Sequence, residues 1–293
     1  MAAVTDNPPY ASTRTVPKDA QWAFIWGSGI AVCGAWNAAF LNAPAFAMLV
    51  SAFFHSIFAG IAAVAGAFVL GWSAGVGLHA LRSRGWGFAA LVVTFMLNIV
   101  RSVPQILGLL GGYVILTALT ATGTLSGTAA QLLFMSGVMS TFLFLEVADL
   151  VEERINHFKA LDFYPAMMCC GISEFRIIHV EILWRCSGSH LLQRAMSMFG
   201  TALFLQCSVD FIVSVGLSTD VSLSNFPSTL GSLLARLDSK QDILAFGTAF
   251  MRPSYLFEIP FQHLQGLSTA FFIVYTLLCS FRAAQAFVRR KGL

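Results

Sequence analysis

Two charged residues stand where charge is costly. Arg101 is the only Asp, Glu, Lys or Arg between Gly85 and Leu145, and Asp210 lies inside another apolar run. A central arginine in a membrane-crossing helix costs about 2.5–3.5 kcal/mol on insertion scales, so such a charge is a functional suspect by default. Two roles are open to Arg101: contact with a solute on a translocation path, or snorkelling to headgroups with Glu146 or Asp149 as ion partner. Asp210 either faces such a path or pairs with a polar group of a neighbouring subunit. Glu146, Asp149 and Glu153 are spaced by three and four residues and share one helix face. Carboxylates so placed can hold a divalent cation, but no histidine joins them at motif spacing, which favours a solvated or ion-paired helix end. The six histidines contain no H-E-x-x-H, and the six cysteines (Cys33, Cys169, Cys170, Cys186, Cys207 and Cys279) contain no C-x-x-C. With no G-x-x-x-x-G-K-[ST] loop either, the chain is expected to bind no cofactor or metal of its own and to catalyse nothing itself.

The setting of these residues is a membrane. Of 293 residues, 57% are hydrophobic and only 11% charged, and the mean hydropathy is +0.75. Ordinary soluble domains carry about 25% charged residues. The apolar residues also come in blocks, with no charge at all from Gln21 to Leu81. A crossing helix needs roughly 20 such residues, so each block holds two passes. A net charge of +3 gives no case for nucleic-acid binding.

Six passes are predicted. The first covers about Trp22 to Leu41 and ends at Asn42-Ala43-Pro44, where proline discourages continuation. The second runs from about Ala47 to Leu81, and Arg82 and Arg84 after it mark a cytoplasmic loop. The third lies within Phe88 to Leu119, the fourth covers about Ala130 to Val147, the fifth Leu191 to Val215 and the sixth Leu264 to Phe281. This count puts Lys18, Arg82, Arg84, Arg282 and Arg289 to Lys291 on one side, with both termini cytoplasmic. The divisions are a polar tail over 1–21, a first helix and outer turn over 22–46, a transmembrane domain over 47–286 and a basic tail over 287–293. Within the domain, 218–262 reads as an outer segment with apolar patches, a folded cap or partly re-entrant helix.

Residues 155–186 differ in kind, being too polar to span and too apolar for a free loop. A short helix beginning near Asp162 should stop at Gly171, the residue that most readily turns left-handed. A second should start from Ser173 as N-cap, with Glu174 in its first turn. Such a helix-turn-helix is a rigid knob. An amphipathic helix lying at the lipid interface has the same periodicity.

This stretch resembles the cytoplasmic coupling region of the C-type permease subunit of dipeptide, oligopeptide and nickel ABC importers, approximately E-Y-V-x-A-A-x-A-x-G-A-S-x-x-x-I-x-x-x-H-I-L-P. Asp162 matches the acidic start, Ala166 one alanine, and Gly171 and Ser173 the glycine and serine; Ile177, Ile182 and Leu183 match apolar positions. Ser102 to Leu107 (SVPQIL) is similar to the family's A-F-P-S-L-L. Gly216-Leu217-Ser218 and Pro227 to Ala235 (PSTLGSLLA) are similar to G-L-G and P-x-P-S-W-G-x-M-L-A. Together the three motifs cover about Ser51 to Arg282. Met167, Pro165, Glu181, Trp184 and Leu230 depart from the pattern.

The resemblance implies an all-α polytopic fold of the type I ABC importer permease, about six helices with a coupling helix, in a bacterial inner membrane. It implies transport of peptides or a related small solute. Its partners would be the lipid bilayer, a homologous B-type permease, an extracytoplasmic solute-binding protein and two ABC ATPase subunits that hold ATP and Mg. The knob would dock on an ATPase through Phe163, Tyr164, Ala166, Met167 and Cys170, with Gly171 setting the turn. The alternative is a stand-alone secondary transporter, which needs an internal repeat that this sequence does not display. A membrane enzyme lacks a catalytic constellation.

Overall fold

The computed structural model describes residues 18–40, 43–214 and 227–236, with single positions at 251, 252, 254 and 275. These residues are helical with short connections, and no strand occurs among them. The expected sixth pass, Leu264 to Phe281, lies outside the described residues except for Tyr275, as does most of 218–262.

Helix α1 (Lys18–Phe40) covers the first expected pass. Helix α2 (Ala43–Ser83) runs for 41 residues, longer at both ends than the expected pass. Pro44 sits in its first turn, where a missing N–H leaves no hydrogen bond unmade, so the proline starts this helix rather than merely ending the last. At 1.5 Å per residue α2 is about 60 Å long, twice the roughly 30 Å hydrocarbon layer. Helix α5 (Thr128–Lys159), at 32 residues, exceeds it by about 18 Å.

The third expected pass is not one helix. It breaks at Val103-Pro104 into α3 (Gly87–Ser102) and α4 (Gln105–Ala121), which meet at 87°. Pro104 cannot donate into α3, and the residue before a proline is pushed to extended geometry; Val103 has ψ 122°. Helices α2, α5 and α8 (Gly188–Ser214) are long and apolar enough to cross a membrane, and the bent α3–α4 pair is a fourth candidate.

Helices α2 and α5 form the spine and run parallel. Ser136 Oγ donates to the carbonyl of Ala59 at 3.1 Å, and Ser140 Oγ to that of Ala63 at 2.9 Å, the same 77-residue offset each time. Small residues line the seam: Ala59, Ala63, Ala67, Gly71 and Gly75 are buried on α2. They let the backbones approach closely, the usual means of packing helices where lipid is as apolar as leucine. Two parallel helices require the intervening chain to return to the starting end, so α3–α4 carries it back along the spine.

Short elements close one end of the spine. Helix α6 (Phe163–Cys169) and the single turn α7 (Glu174–Arg176) lead into a π-helical stretch, Ile177–Cys186, and then α8. Its i→i+5 turns bring residues about five apart to one face. Ile177 and Ile178 are accordingly buried together with Ile182 and Leu183. At the other end α9 (Leu230–Arg236) folds back between α2 and α8. Leu230 is fully buried against Leu49 and Ala52.

Candidate functional site

The knob takes shape from local chemistry. Gly171 adopts φ +77°, a left-handed conformation natural only to glycine, and reverses the chain after α6. The amides of Gly171 and Ile172 bond back to the carbonyls of Met168 and Met167. Ser173 is extended at the N-cap position of the next turn, but its side chain makes no capping hydrogen bond. Glu174, expected to complement a helix N-terminus, accepts instead from Lys159 Nζ and from the Tyr164 hydroxyl, each at 2.9 Å.

The expected docking residues divide between two faces. Phe163, Tyr164 and Met167 are half-buried against the chain's own core, while Asp162, Ala166, Cys170, Gly171 and Ser173 are exposed. Ile182 and Leu183 are fully buried and belong to the anchor. Four further apolar side chains stand outward near the knob: Leu161, Met168, and Phe175 and Trp184, each 73% exposed. The sequence contained all four, but heptad-like spacing cannot say which side of a seven-residue helix faces home.

No family model and no curated protein matches this chain. Its chemistry therefore has to be read from the arrangement of its own residues.

Side chains absent from the expected set hold the knob. Lys159, the last residue of α5, lies 2.8 Å from Nε2 of His79 on α2 as well as 2.9 Å from Glu174 Oε1. Its ammonium also sits 4.8 Å above the Tyr164 ring. On the next turn, Trp72 Nε1–H donates to His179 Nδ1 at 3.0 Å, and Phe175 packs on the same imidazole at 4.2 Å between ring centres. The hydrogen bonds from Lys159 and Tyr164 hold Glu174 below the usual carboxylate range, and burial pushes the Tyr164 hydroxyl up. His79, Trp72 and His179 carried no recognisable motif; only the fold brings residues 80 and 107 positions apart together.

The two lone charges of the sequence fall at opposite ends. Nη2 of Arg101 donates to both carboxylate oxygens of Asp149, 2.7 Å to each, with both side chains more than half exposed. Of the roles open to it, this is the ion-paired one. Arg194 reaches Glu146 at 3.4 Å, so that carboxylate is paired as well.

Asp210 is completely buried and accepts hydrogen bonds from the Tyr113 hydroxyl on α4 and the Thr229 hydroxyl ahead of α9. Thr229 and Ser232 cap one another reciprocally, amide to hydroxyl in both directions, so the start of α9 is pinned at this carboxylate. Beside it Tyr113, Gln131, Gln206 and Thr229 line a cavity of about 20 Å³ together with leucines and methionines. That is the scale of one water molecule. The helix between Met135 beside this cavity and Asp149 rises about 21 Å, which separates the Asp210 and Arg101 sites.

Proposed function

We propose that this chain is a transmembrane permease subunit of an ATP-driven ABC importer, moving peptides or a related small solute across a bacterial inner membrane. The observation that carries the reading is the knob. It is a compact reversal at Gly171, seated at the ends of two helices that overrun the bilayer, with one face packed inward and exposed Met168 and Phe175 on the other. An element built that way suits docking on a separate cytoplasmic motor. ATP and Mg would be bound by two ATPase partners, since this sequence has no phosphate-cradling loop.

In this reading a homologous permease completes the pathway and an extracytoplasmic binding protein delivers cargo. The motif order from Ser102 to Ala235 supports the same family, and the full complement of about six passes with both termini cytoplasmic belongs to the proposal. Alternating access then follows from ATPase closure. The knob is pushed, the α2–α5 spine tilts, and the outer seal around Asp210 and α9 opens or closes.

The test is purification of the tagged chain from its native membrane. Copurifying ATPase subunits, and ATP turnover lost on replacing Gly171 by valine, are expected. An isolated chain that moves solute into liposomes without ATP would instead establish a secondary transporter.

A further inference from the structure

The knob is joined to the spine by only a few residues of chain, Ala160 to Asp162, and to α8 by the π-helical stretch. A short connection of this kind bends when pushed. A motor's stroke delivered to α6 would then be absorbed by pivoting at Ala160 rather than passed into the membrane helices. Something has to brace the joint.

The brace is visible in the side chains. Glu174 Oε1 receives Lys159 Nζ and the Tyr164 hydroxyl, both at 2.9 Å, and stands 4.0 Å from Nε2 of His79. Lys159 is shared between Glu174 and His79. One ammonium and one carboxylate thus tie four elements, α2, α5, α6 and α7, on both sides of the Gly171 turn. The cation over the Tyr164 ring and the three hydrogen bonds restrict the geometry in several directions, unlike a lone surface pair.

The donors also fit one state only. An ammonium donates and cannot accept, so Nε2 of His79 must present its lone pair to Lys159. One turn farther along, Trp72 Nε1–H on Nδ1 of His179 ties the π-helical stretch to α2 as a second point of attachment.

We infer that Lys159 and Glu174, with His79 and Tyr164, form a force-transmitting clamp that makes the knob and the α2–α5 spine move as one body. These are positioning residues: they touch neither cargo nor nucleotide and set how much of the motor's stroke reaches the membrane. The inference rests on the importer reading above and specifies where its coupling is made rigid.

The experiment uses the complete purified complex in lipid nanodiscs, with spin labels at Val50 on α2 and Phe211 on α8, both exposed, in a background without native cysteines. Distances are recorded without nucleotide and with ATP, Mg and vanadate, and ATP hydrolysis is measured alongside. The probe is the nucleotide, so the identity of the cargo does not matter. Wild type should show a nucleotide-driven shift. Lys159→Met and Glu174→Gln should still hold the ATPase subunits and hydrolyse ATP within about twofold of wild type, yet lose most of the shift; Lys159→Arg should keep it.

A full shift in both Lys159→Met and Glu174→Gln overturns the clamp and leaves the importer reading intact. So does a loss of shift that merely accompanies loss of the ATPase subunits, because the clamp would then be scaffolding only. A wild-type complex without ATPase subunits, or without any shift, overturns the importer reading and the clamp with it. That outcome is seen in the unmutated protein and cannot be confused with the first.

Discussion

The indole Nε1–H of Trp72 donates to Nδ1 of His179 across 3.0 Å, joining α2 to the stretch beyond the knob. The bond requires a neutral imidazole with its proton on Nε2. Burial also holds the pKa of His179 below its ordinary 6.5. A depressed value in the fold means the unfolded chain binds the proton first. The contribution to stability is therefore whole above pH 6.5 and is lost as pH falls through the folded value. Acidifying the detergent-solubilised protein from about pH 7.5 to about pH 5 should lower Tm and change Trp72 emission; His179→Phe should flatten the emission response and only part of the Tm response, because burial holds the pKa of His79 below 6.5 as well. Glu174 acts in a lower window: held below 4.5 chiefly by the hydrogen bond from Lys159, it is lost only as pH drops beneath that value. An emission profile in wild type that is flat across the upper window contradicts this assignment.

Close approach of α2 and α5 depends on Gly71 and Gly75. A Cβ at Gly71 would stand 2.5 Å from the Phe144 carbonyl oxygen, and one at Gly75 would stand 2.8 Å from a Val151 methyl. Backbone cannot rotate aside as a side chain can, so Gly71→Val should separate the helices and cost about 1–3 kcal/mol or more. Gly77→Ala on the same helix, where nothing lies within 4 Å, is the control and should not lower Tm, alanine being the better helix former. Equal melting of the two variants would mean that the seam is not the determinant of spine stability.

Asp210 holds the start of α9 through Thr229 and holds α4 through Tyr113. Asp210→Leu leaves both hydroxyls without that acceptor in an apolar setting, at about 1–3 kcal/mol for each buried group. Asp210→Asn keeps one carbonyl oxygen and should lose less. Limited proteolysis between α8 and α9 provides the readout: faster cleavage in the leucine variant than in the asparagine variant is expected, and identical rates argue that α9 is held instead by packing of Leu230 and by the hydrogen bonds of Leu230 to Ser56 and of Ser228 to His55.

The pairing of Arg101 with Asp149 is exposed, and exposed pairs are worth about 0.2–1 kcal/mol. Arg101→Lys should therefore assemble normally and melt within a few degrees of wild type. Failure of that variant to assemble, with Asp149→Asn unaffected, would assign Arg101 a contact other than this carboxylate.

Local chemistry was readable in the chain itself. Charge-free blocks announce membrane helices because lipid admits little else. Pro104 lies inside a stretch that the sequence presents as one pass, whereas Gly171 announces a reversal because a left-handed residue is far easier without a Cβ. Each of these follows from properties of a few adjacent residues. The 87° angle at Val103-Pro104 does not, because a proline permits a bend but neighbouring helices set its size.

The long-range pairings were decided by the tertiary structure alone. That α2 and α5 run parallel at a constant offset, that Lys159 meets His79 and Glu174, and that Asp210 rather than Arg101 is sealed in the interior all depend on which helix faces which. A 3.6-residue period identifies an apolar face without naming its partner, and on membrane helices it is weaker still because lipid-facing and protein-facing sides are both apolar. Composition and turn residues specified helices and reversals; the packing of those helices determined which of their polar groups came into contact.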